Sequence, residues 1–152
     1  MSLTVLRATL EHVDLLTPLF DGYRQFYRQP SDLARARAFL TERLERDESV
    51  VFLALDHDDD VACGFTQLYP SFSSVRTQRT WVLNDLFVDP AQRRRGTARA
   101  LLDAAHAHAA ETGAAWVSLS TEQTNETAKA LYVATGYVQS SDFAYLTYKL
   151  PT

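Results

Sequence analysis

The spacing of apolar residues predicts a helical beginning followed by a run of strands. Residues 3–8 alternate between apolar and polar side chains, as a half-buried strand does. Residues 10–27 and 32–46 repeat apolar side chains every three or four positions, which predicts two amphipathic helices separated by Pro30. Ser31 is a suitable cap for the second helix. Three strands are then predicted at 50–55, 61–69 and 79–88, with an acidic turn at 56–60 and a serine-rich loop at 70–78.

Helices and strands alternate in the second half of the chain. Gly113 and Gly136 each follow an apolar-periodic segment and are expected to end a helix. The predicted elements are a helix at 96–112, a strand at 115–120, a helix at 125–135, and two short strands at 137–139 and 144–150. The order is therefore βααβββαβαββ. It predicts an α/β fold with a mixed central sheet flanked by helices.

Length and residue usage favour a single intracellular domain. The chain has 152 residues, which suits one core spanning 1–152. No apolar run approaches the ~20 residues of a membrane-spanning helix, so no membrane partner is expected. The first ten residues lack the basic-then-apolar order of a secretory signal. The single cysteine, Cys63, cannot form an internal disulfide, which fits a reducing compartment. We therefore expect a cytoplasmic protein.

The charge distribution is more informative than the net charge. The formal net charge of −4 argues against nucleic acid as a partner, because nonspecific nucleic-acid binding usually needs a basic surface. Four arginines nevertheless fall within seven residues, at Arg93, Arg94, Arg95 and Arg99. Such a cluster can hold an anion on a chain that is acidic overall. A nucleic-acid-binding module built on it stays an alternative, and salt-sensitive binding would reveal it.

A strand, a short basic loop and a helix meet at residues 83–98, Leu-Asn-Asp-Leu-Phe-Val-Asp-Pro-Ala-Gln-Arg-Arg-Arg-Gly-Thr-Ala. The first turn of a helix leaves backbone N–H groups unpaired and carries partial positive charge, and Gly96 permits close backbone approach. This arrangement predicts a phosphate site. The lack of a following Gly-Lys-Ser/Thr excludes an NTPase P-loop, and the single glycine excludes a dinucleotide fingerprint. An ordinary helix start with solvated arginines is the alternative.

These residues carry a resemblance to a known family. Residues 93–98, Arg-Arg-Arg-Gly-Thr-Ala, resemble the Arg/Gln-x-x-Gly-x-Gly/Ala motif of the GNAT superfamily of N-acetyltransferases. Residues 125–137, Asn-Glu-Thr-Ala-Lys-Ala-Leu-Tyr-Val-Ala-Thr-Gly-Tyr, are similar to its second motif. Residues 82–88 and 130–137 look most like the histone and polyamine acetyltransferases and their bacterial relatives. The resemblance implies a central sheet that splays to admit acetyl-CoA.

The resemblance also implies how acetyl-CoA, the acyl donor, would be held. Its pyrophosphate would sit on the basic loop, and its pantetheine arm would pair with the preceding strand like an added strand. One further residue, on the last predicted helix, would hydrogen-bond the cofactor. The implied cofactor residues are Phe87, Val88, Arg93, Arg94, Arg95, Gly96, Thr97, Ala98 and Asn125. No metal is expected.

The catalytic residues follow from the same comparison. Tyr132 matches a family tyrosine near the cofactor sulfur, where a phenol can protonate the leaving thiolate. A glutamate that often serves as the base is matched here by Asn84, which cannot accept a proton. Asp85, Glu122 or a chain of waters could replace it. Asp85 and Asn84 should face opposite sides of their strand unless a bulge intervenes, and Asp85 is as readily explained as a structural carboxylate.

The expected reaction is direct attack of a primary amine on the thioester in a ternary complex, without an acyl-enzyme. The amine would belong to a small molecule or a protein lysine, and Tyr27, Asn84 and Glu122 are expected to border it. Homodimers are common in the family, so a homodimer is one expectation. The missing glutamate also motivates an alternative, a non-catalytic acyl-CoA sensor on the same fold.

Overall fold

A computed structural model describes residues 2–93 and 95–152 and confirms the α/β class. Short 3-10 turns at Leu10–His12 and Pro90–Gln92 precede the first and third helices. In chain order the main elements are β1 (Leu3–Arg7), α1 (Val13–Phe26), α2 (Leu33–Glu45), β2 (Val50–Asp56), β3 (Val61–Ser73), β4 (Gln78–Val88), α3 (Thr97–Glu111), β5 (Val117–Ser118) and α4 (Glu126–Ala134).

The five strands form one mixed sheet in the order β1-β2-β3-β4-β5. Neighbours from β1 to β4 are antiparallel. Short turns connect β2 to β3 and β3 to β4, whereas helices α1 and α2 lie between β1 and β2. The chain returns from β4 through α3 to β5, which lies parallel to β4. Parallel pairing is brief: Trp81 pairs with Val117, and Val82 with Ser118. Pairing of β4 with β5 therefore ends at Val82, which agrees with the splayed sheet that the family resemblance implies.

Helices cover both faces of the sheet. Val51 and Leu53 of β2 belong to a buried cluster with Leu16 of α1 and Leu40 of α2. The intervening Phe52 faces the other way, and its ring lies against His108 of α3. Side chains alternate along a strand, so α1 and α2 cover one face and α3 covers the other.

By its internal contacts the chain divides into a first unit that ends at Ser120 and a second unit, Thr121–Thr152. The first unit contains the sheet and helices α1 to α3, and the second contains α4. The prediction that all 152 residues form one domain stays a prediction. Within residues 2–93 and 95–152, no helix is long and apolar enough to cross a membrane.

Two local predictions were wrong for identifiable reasons. The loop predicted at 70–78 is largely strand, because β3 continues through Pro70 to Ser73. Pairing with β2 ends at Leu68, so Pro70 lies where β3 has become an edge, and proline is tolerated there. The cap of α2 is Asp32 rather than Ser31: the Asp32 carboxylate accepts from the N–H of Arg35, at 3.0 Å.

The strands predicted at 137–139 and 144–150 are absent, and residues 138–152 form no helix or strand. An alternating pattern records a propensity for extended backbone, but a strand also needs a neighbour to complete its hydrogen bonds. The strand predicted at 115–120 is likewise only two residues long.

Candidate active site

A β-bulge in β4 shapes one side of the candidate site. Leu83 pairs with Leu68 of β3, and Asp85 pairs with the adjacent Gln67, so Asn84 is one residue too many for the ladder. A bulge of this kind redirects side chains locally. As a result the amide of Asn84 donates to Asp85 Oδ1, at 2.7 Å, although the two residues are neighbours on one strand.

Asp85 is buried, with 1% of its surface exposed, and is surrounded by hydrogen-bond donors. Gln67 Nε2 donates to Asp85 Oδ2 at 2.6 Å, on the opposite oxygen from Asn84. Burial raises the pKa of Asp85, although hydrogen bonds from Asn84, Gln67 and Tyr23 partly oppose that rise. A carboxyl group with a raised pKa is better suited to accept and return a proton near neutral pH.

Tyr23 of α1 connects this carboxylate to the surface. Its hydroxyl donates to the backbone oxygen of Asn84 at 3.1 Å and also interacts with the Asp85 side chain. Burial and the charge of Asp85 raise the pKa of Tyr23, so it stays a protonated donor. The Tyr27 ring lies 5.1 Å from the Tyr23 ring, centroid to centroid. One face of the sheet therefore brings Tyr27, Asn84 and Asp85 together, as three of the predicted site residues.

The end of β4 presents an open backbone edge. On one side Phe87 and Val88 pair with Phe65 and Gly64 of β3. On the other side β5 pairs only at Trp81 and Val82, so among the described residues no strand follows 83–88 on that edge. Unpaired strand edges are where an extended ligand can add hydrogen bonds.

Two glycines fix the position of this strand end. A Cβ at Gly64 would lie 2.6 Å from the backbone oxygen of Phe87, and a Cβ at Gly22 of α1 would lie 3.0 Å from its ring. The first distance is too short for any side chain, so the backbones of β3 and β4 approach this closely only because Gly64 has none. The Phe87 side chain is thus held against α1, and only its backbone remains for the predicted cofactor role.

The basic loop leads from this strand end into α3. Asp89 caps the 3-10 turn by accepting from the N–H of Ala91 at 3.0 Å. Gly96, with φ of 75°, occupies the cap position of α3, where no side chain accepts a hydrogen bond from the helix. A Cβ at Gly96 would meet nothing within 4 Å, so the space beside the helix start is open.

The first turn of α3 is suited to an anion. Its first intrahelical bond runs from the N–H of Ala100 to the oxygen of Gly96, so the N–H groups of Thr97 and Ala98 precede that ladder. The buried Thr97 Oγ1 has no hydrogen-bond partner in the described part of the chain. Oriented N–H groups and the helix dipole favour a negatively charged group there.

The arginines of the loop differ in their roles. Arg93 is exposed, whereas Arg94 lies outside the described residues. The Arg95 guanidinium donates to Asp56 Oδ2 at 2.6 Å and to the Gln92 side chain, so it braces the loop against the end of β2. Its predicted cofactor contact is therefore left to its backbone.

Asp56, which the sequence analysis assigned to an acidic turn, is instead the last residue of β2 and is completely buried. Burial alone would raise its pKa, but the hydrogen bonds from Arg95 and from the N–H groups of Asp58 and Ser2 outweigh that effect. The pKa of Asp56 is lowered as a result, and the carboxylate stays charged against Arg95.

The second unit contains the remaining predicted residues. Asn125 caps α4, where its Oδ1 accepts from the N–H of Ala128 at 3.1 Å. Tyr132 lies on α4 with its ring 5.7 Å from that of Tyr137, centroid to centroid. Glu122 precedes the helix and is exposed.

Comparison with known proteins decides the family. The model of the acetyltransferase (GNAT) family matches residues 15–137. The chain belongs to the GNAT family. A relative from Bacillus subtilis strain 168, an uncharacterized N-acetyltransferase named YhfO, is 46% identical over 136 residues, which are 90% of each chain.

Solved GNAT structures agree with this assignment. The crystal structure of a probable acetyltransferase is 43% identical, covers 98% of this chain and 99% of its own, and superposes with a TM-score of 0.93. An aminoglycoside N-acetyltransferase in complex with CoA superposes with a TM-score of 0.80 over 98% of this chain and 96% of its own. At 20% identity the latter shows a shared fold alone. Members of the family use acetyl-CoA as the acyl donor.

The sequence analysis did not include Tyr23 or Gln67 among the candidate residues of this GNAT site, although both interact with Asp85 in the structure. In the sequence, Tyr23 is one of several aromatic residues on a helix face, and packing against the core is enough to explain such a residue. Gln67 lies in an apolar strand, and its isolated buried amide was the available signal, because such a group needs a partner. Among the residues that the structure describes, no three His, Cys, Asp or Glu side chains are grouped so as to hold a metal ion.

Replacing Asp56 tests the brace on the basic loop. We expect Asp56→Asn to lower the Tm by several degrees, because the Arg95 guanidinium loses its charged partner. A lowered pKa stabilises the fold above the ordinary aspartate value of 3.8, and this contribution disappears as the pH falls through the native pKa. The Tm difference between wild type and variant should therefore be full at pH 7 and shrink on acidification.

Thermal unfolding followed by circular dichroism measures this difference. Asp59→Asn, in the exposed part of the same turn, is the control and should unfold like wild type. A difference that is independent of pH, or equal for both variants, would contradict the brace.

Proposed function

We propose that the protein transfers an acetyl group from acetyl-CoA to a primary amine of a small molecule or a protein lysine, by direct attack in a ternary complex. The observation that carries this proposal is the open backbone edge at 83–88, which runs into the uncapped start of α3 in a member of the GNAT family. An extended pantetheine arm and a pyrophosphate match these two features in that order.

In this proposal the donor lies along β4. The pantetheine arm pairs with the backbone of Phe87 and Val88, and the pyrophosphate lies on the N–H groups from Arg94 to Ala98. The open space beside Gly96 admits the phosphates. Asn125 and exposed Arg93 add polar contacts, although Asn125 Oδ1 already caps α4.

The acceptor amine lies on the opposite side of β4 in this proposal, beside Tyr27 and Asn84. An amine is mostly protonated at neutral pH and must lose a proton before it attacks. Asp85 is too buried to touch it directly. We therefore place Tyr23 between them: the amine gives its proton to the Tyr23 oxygen, and the Tyr23 hydroxyl proton passes to Asp85.

The transfer then proceeds without an acyl-enzyme. The amine nitrogen attacks the carbonyl carbon of the thioester, and the N–H of Val88 or a neighbour stabilises the oxyanion. The C–S bond breaks, and Tyr132 gives a proton to the departing thiolate. Glu122 borders the acceptor in this proposal.

The proposal identifies the acceptor only as a primary amine. A ribosomal-protein-alanine N-acetyltransferase and an aminoglycoside N-acetyltransferase share the fold at 19% and 20% identity, which is too distant to transfer a substrate. The narrower likeness to histone and polyamine acetyltransferases stays a prediction. A homodimer, which the family resemblance implies, likewise stays a prediction.

The direct test is CoA release from acetyl-CoA by the purified protein. The panel of acceptors is spermidine, lysine, other amino acids, aminoglycosides and a histone-tail peptide. We expect one class to stimulate release, and Tyr132→Phe to lower that turnover by about tenfold or more without changing acetyl-CoA affinity. Acetyl-CoA binding with no release for any amine would favour the sensor, and an unchanged rate in Tyr132→Phe would remove its role as the acid.

A matched pair of glycine variants tests the phosphate site. Gly96 and Gly113 flank the two ends of α3, with φ of 75° and 69°, and a Cβ at either meets nothing within 4 Å. Valine at either position therefore imposes a similar backbone strain. Only Gly96→Val should weaken acetyl-CoA binding, by about tenfold or more, because it fills the space that the phosphates need.

Isothermal titration calorimetry measures the affinity of both variants for acetyl-CoA. Their Tm values report the backbone strain that valine imposes at each position. Equal affinities for Gly96→Val and Gly113→Val would rule out the helix start as the cofactor site.

The pH dependence of kcat/KM tests the proton path. Asp85 must be ionised to accept a proton, so kcat/KM should rise with pH through a midpoint above the ordinary aspartate range, in the direction of its raised pKa. Asp85→Asn should lower kcat/KM by about 100-fold, and Tyr23→Phe by about tenfold or more. In both variants kcat/KM should no longer rise with pH through that midpoint.

Tyr69→Phe is the control for the proton path. Burial and then the charge of Asp85 raise the pKa of Tyr69 as well, but Tyr69 has no role in the path, so the variant should keep the wild-type profile. Full activity of Asp85→Asn would show that the carboxylate is structural.

A further inference from the structure

One buried nitrogen near the end of α1 has no partner. The Nη1 atom of Arg24 is buried and makes no hydrogen bond to any residue in 2–93 or 95–152. A buried guanidinium nitrogen without an acceptor is unfavourable, because it has lost its contact with water and gained no hydrogen bond in return. Arg24 as a whole is only partly buried, so part of its side chain stays open to solvent. An anion that binds from solvent would complete this group.

The carboxylate one turn earlier in α1 has a different task. Asp21 precedes Arg24 by three positions, so the two residues are neighbours on the helix surface. Asp21 Oδ2 accepts from the Ser31 hydroxyl at 2.7 Å, and Oδ1 accepts from the N–H of Asp32 at 2.8 Å. Asp21 therefore fixes the segment between α1 and α2 and does not hydrogen-bond the buried Nη1 of Arg24.

Arg24 lies in the turn of α1 that carries the two tyrosines of the proposed acceptor side. It directly follows Tyr23, whose hydroxyl donates to the backbone oxygen of Asn84 and interacts with the Asp85 side chain. The backbone oxygen of Arg24 accepts from the N–H of Tyr27 at 3.0 Å. The guanidinium and the proposed proton path to Asp85 therefore start from adjacent residues.

Asp85 is held by neutral donors alone. They are the amides of Asn84 and Gln67 and the hydroxyl of Tyr23. When Asp85 is ionised, this end of α1 thus presents a negative group and a positive group that have no charged partners in these contacts. A ligand that carries both an ammonium and a carboxylate complements the two groups together. A free amino acid has this combination, with both charges attached to one carbon atom.

We propose that the acceptor is a free amino acid, whose carboxylate binds the Arg24 guanidinium while its α-amine lies at the Tyr23 hydroxyl. This inference rests on the proposed function, since it names the amine that is acetylated. Guanidinium and carboxylate groups form strong, directional pairs. Spermidine and aminoglycosides carry no carboxylate, and a histone-tail lysine carries its amine far from one, so none of them satisfies Arg24.

The reaction converts the amino acid and acetyl-CoA into an N-acetylamino acid and CoA. The N–C bond forms as the C–S bond of the thioester breaks. The ammonium loses two protons in all. One passes through Tyr23 to Asp85 and on to solvent, and the other replaces the proton that Tyr132 gives to the thiolate of CoA.

Matched acceptors test the role of the carboxylate. The standard amino acids are screened for CoA release, and the best one is compared with the amine that lacks only its carboxylate, as isopentylamine does for leucine. We expect kcat/KM to be about tenfold or more higher for the amino acid, because its amine analogue cannot form the charged hydrogen bonds to Arg24. An amine analogue as good as its amino acid, or spermidine better than every amino acid, would overturn the inference.

Variants of Arg24 locate the contact. Arg24→Gln should abolish the preference for the amino acid over its amine analogue, mainly through a higher KM for the amino acid, and Arg24→Lys should keep part of it. Arg35→Gln is the control, because it removes an exposed arginine from the first turn of α2, and it should keep the wild-type preference. A preference that is the same in Arg24→Gln and in wild type would contradict the assignment.

Thermal unfolding in the presence of CoA separates binding from transfer, because CoA has no acetyl group to give. We expect the best amino acid to raise the Tm of CoA-loaded wild type but not that of CoA-loaded Arg24→Gln. Without ligand, Arg24→Gln should unfold at or above the wild-type Tm, because it removes a buried charge that has no partner. A Tm several degrees below wild type would show that Arg24 is structural and overturn the inference.

The two readouts distinguish this inference from the proposed function. An amino acid that raises the Tm through Arg24 but is never acetylated would contradict the proposed function and leave the binding site supported. CoA release that is stimulated best by an amine without a carboxylate would support the proposed function and overturn the amino-acid site.

Discussion

The extra residue in β4, Asn84, is the local constraint on which the proposed acceptor side of the site depends. Without that bulge, Asp85 would alternate strictly with Asn84, and the amide could not reach the carboxylate on the same face of the sheet. The bulge also brings the Asn84 backbone oxygen to the Tyr23 hydroxyl, so helix α1 is tied to the strand at the carboxylate. A packing irregularity therefore provides a polar network inside a largely apolar layer.

The two edges of β4 have different roles in the proposed chemistry. The edge paired with β3 resumes its ladder after the bulge and continues to Val88, so the strand end is hydrogen-bonded to β3. The edge facing β5 is paired only at Trp81 and Val82, which leaves hydrogen-bonding groups available beyond them. The Arg95 to Asp56 pair then fixes the loop that follows, so the helix start is held in place by the fold before any ligand arrives.

Local signals predicted the fold well, and long-range pairing explains the differences. Gly113 follows the end of α3 as expected, and α3 begins one residue after the predicted Gly96, because helix ends are encoded by nearby residues. The shared orientation of Asn84 and Asp85 could not be predicted, because the register of β4 is set by Gln67 and Leu68 on another strand. Asp56 resembled its acidic neighbours until the fold brought Arg95 to it across 39 positions. The cofactor and catalytic roles rest on family likeness and remain predictions.

The close contact of Phe87 with Gly22 and Gly64 has a consequence for mutational tolerance. Neither glycine belongs to the proposed chemistry, yet a methyl group at Gly64 would overlap the backbone oxygen of Phe87, and one at Gly22 would press on its ring. A survey of random substitutions would therefore find these two positions as intolerant as true active-site residues. At these two positions, sensitivity to substitution would report contact with the end of β4 rather than a part in catalysis.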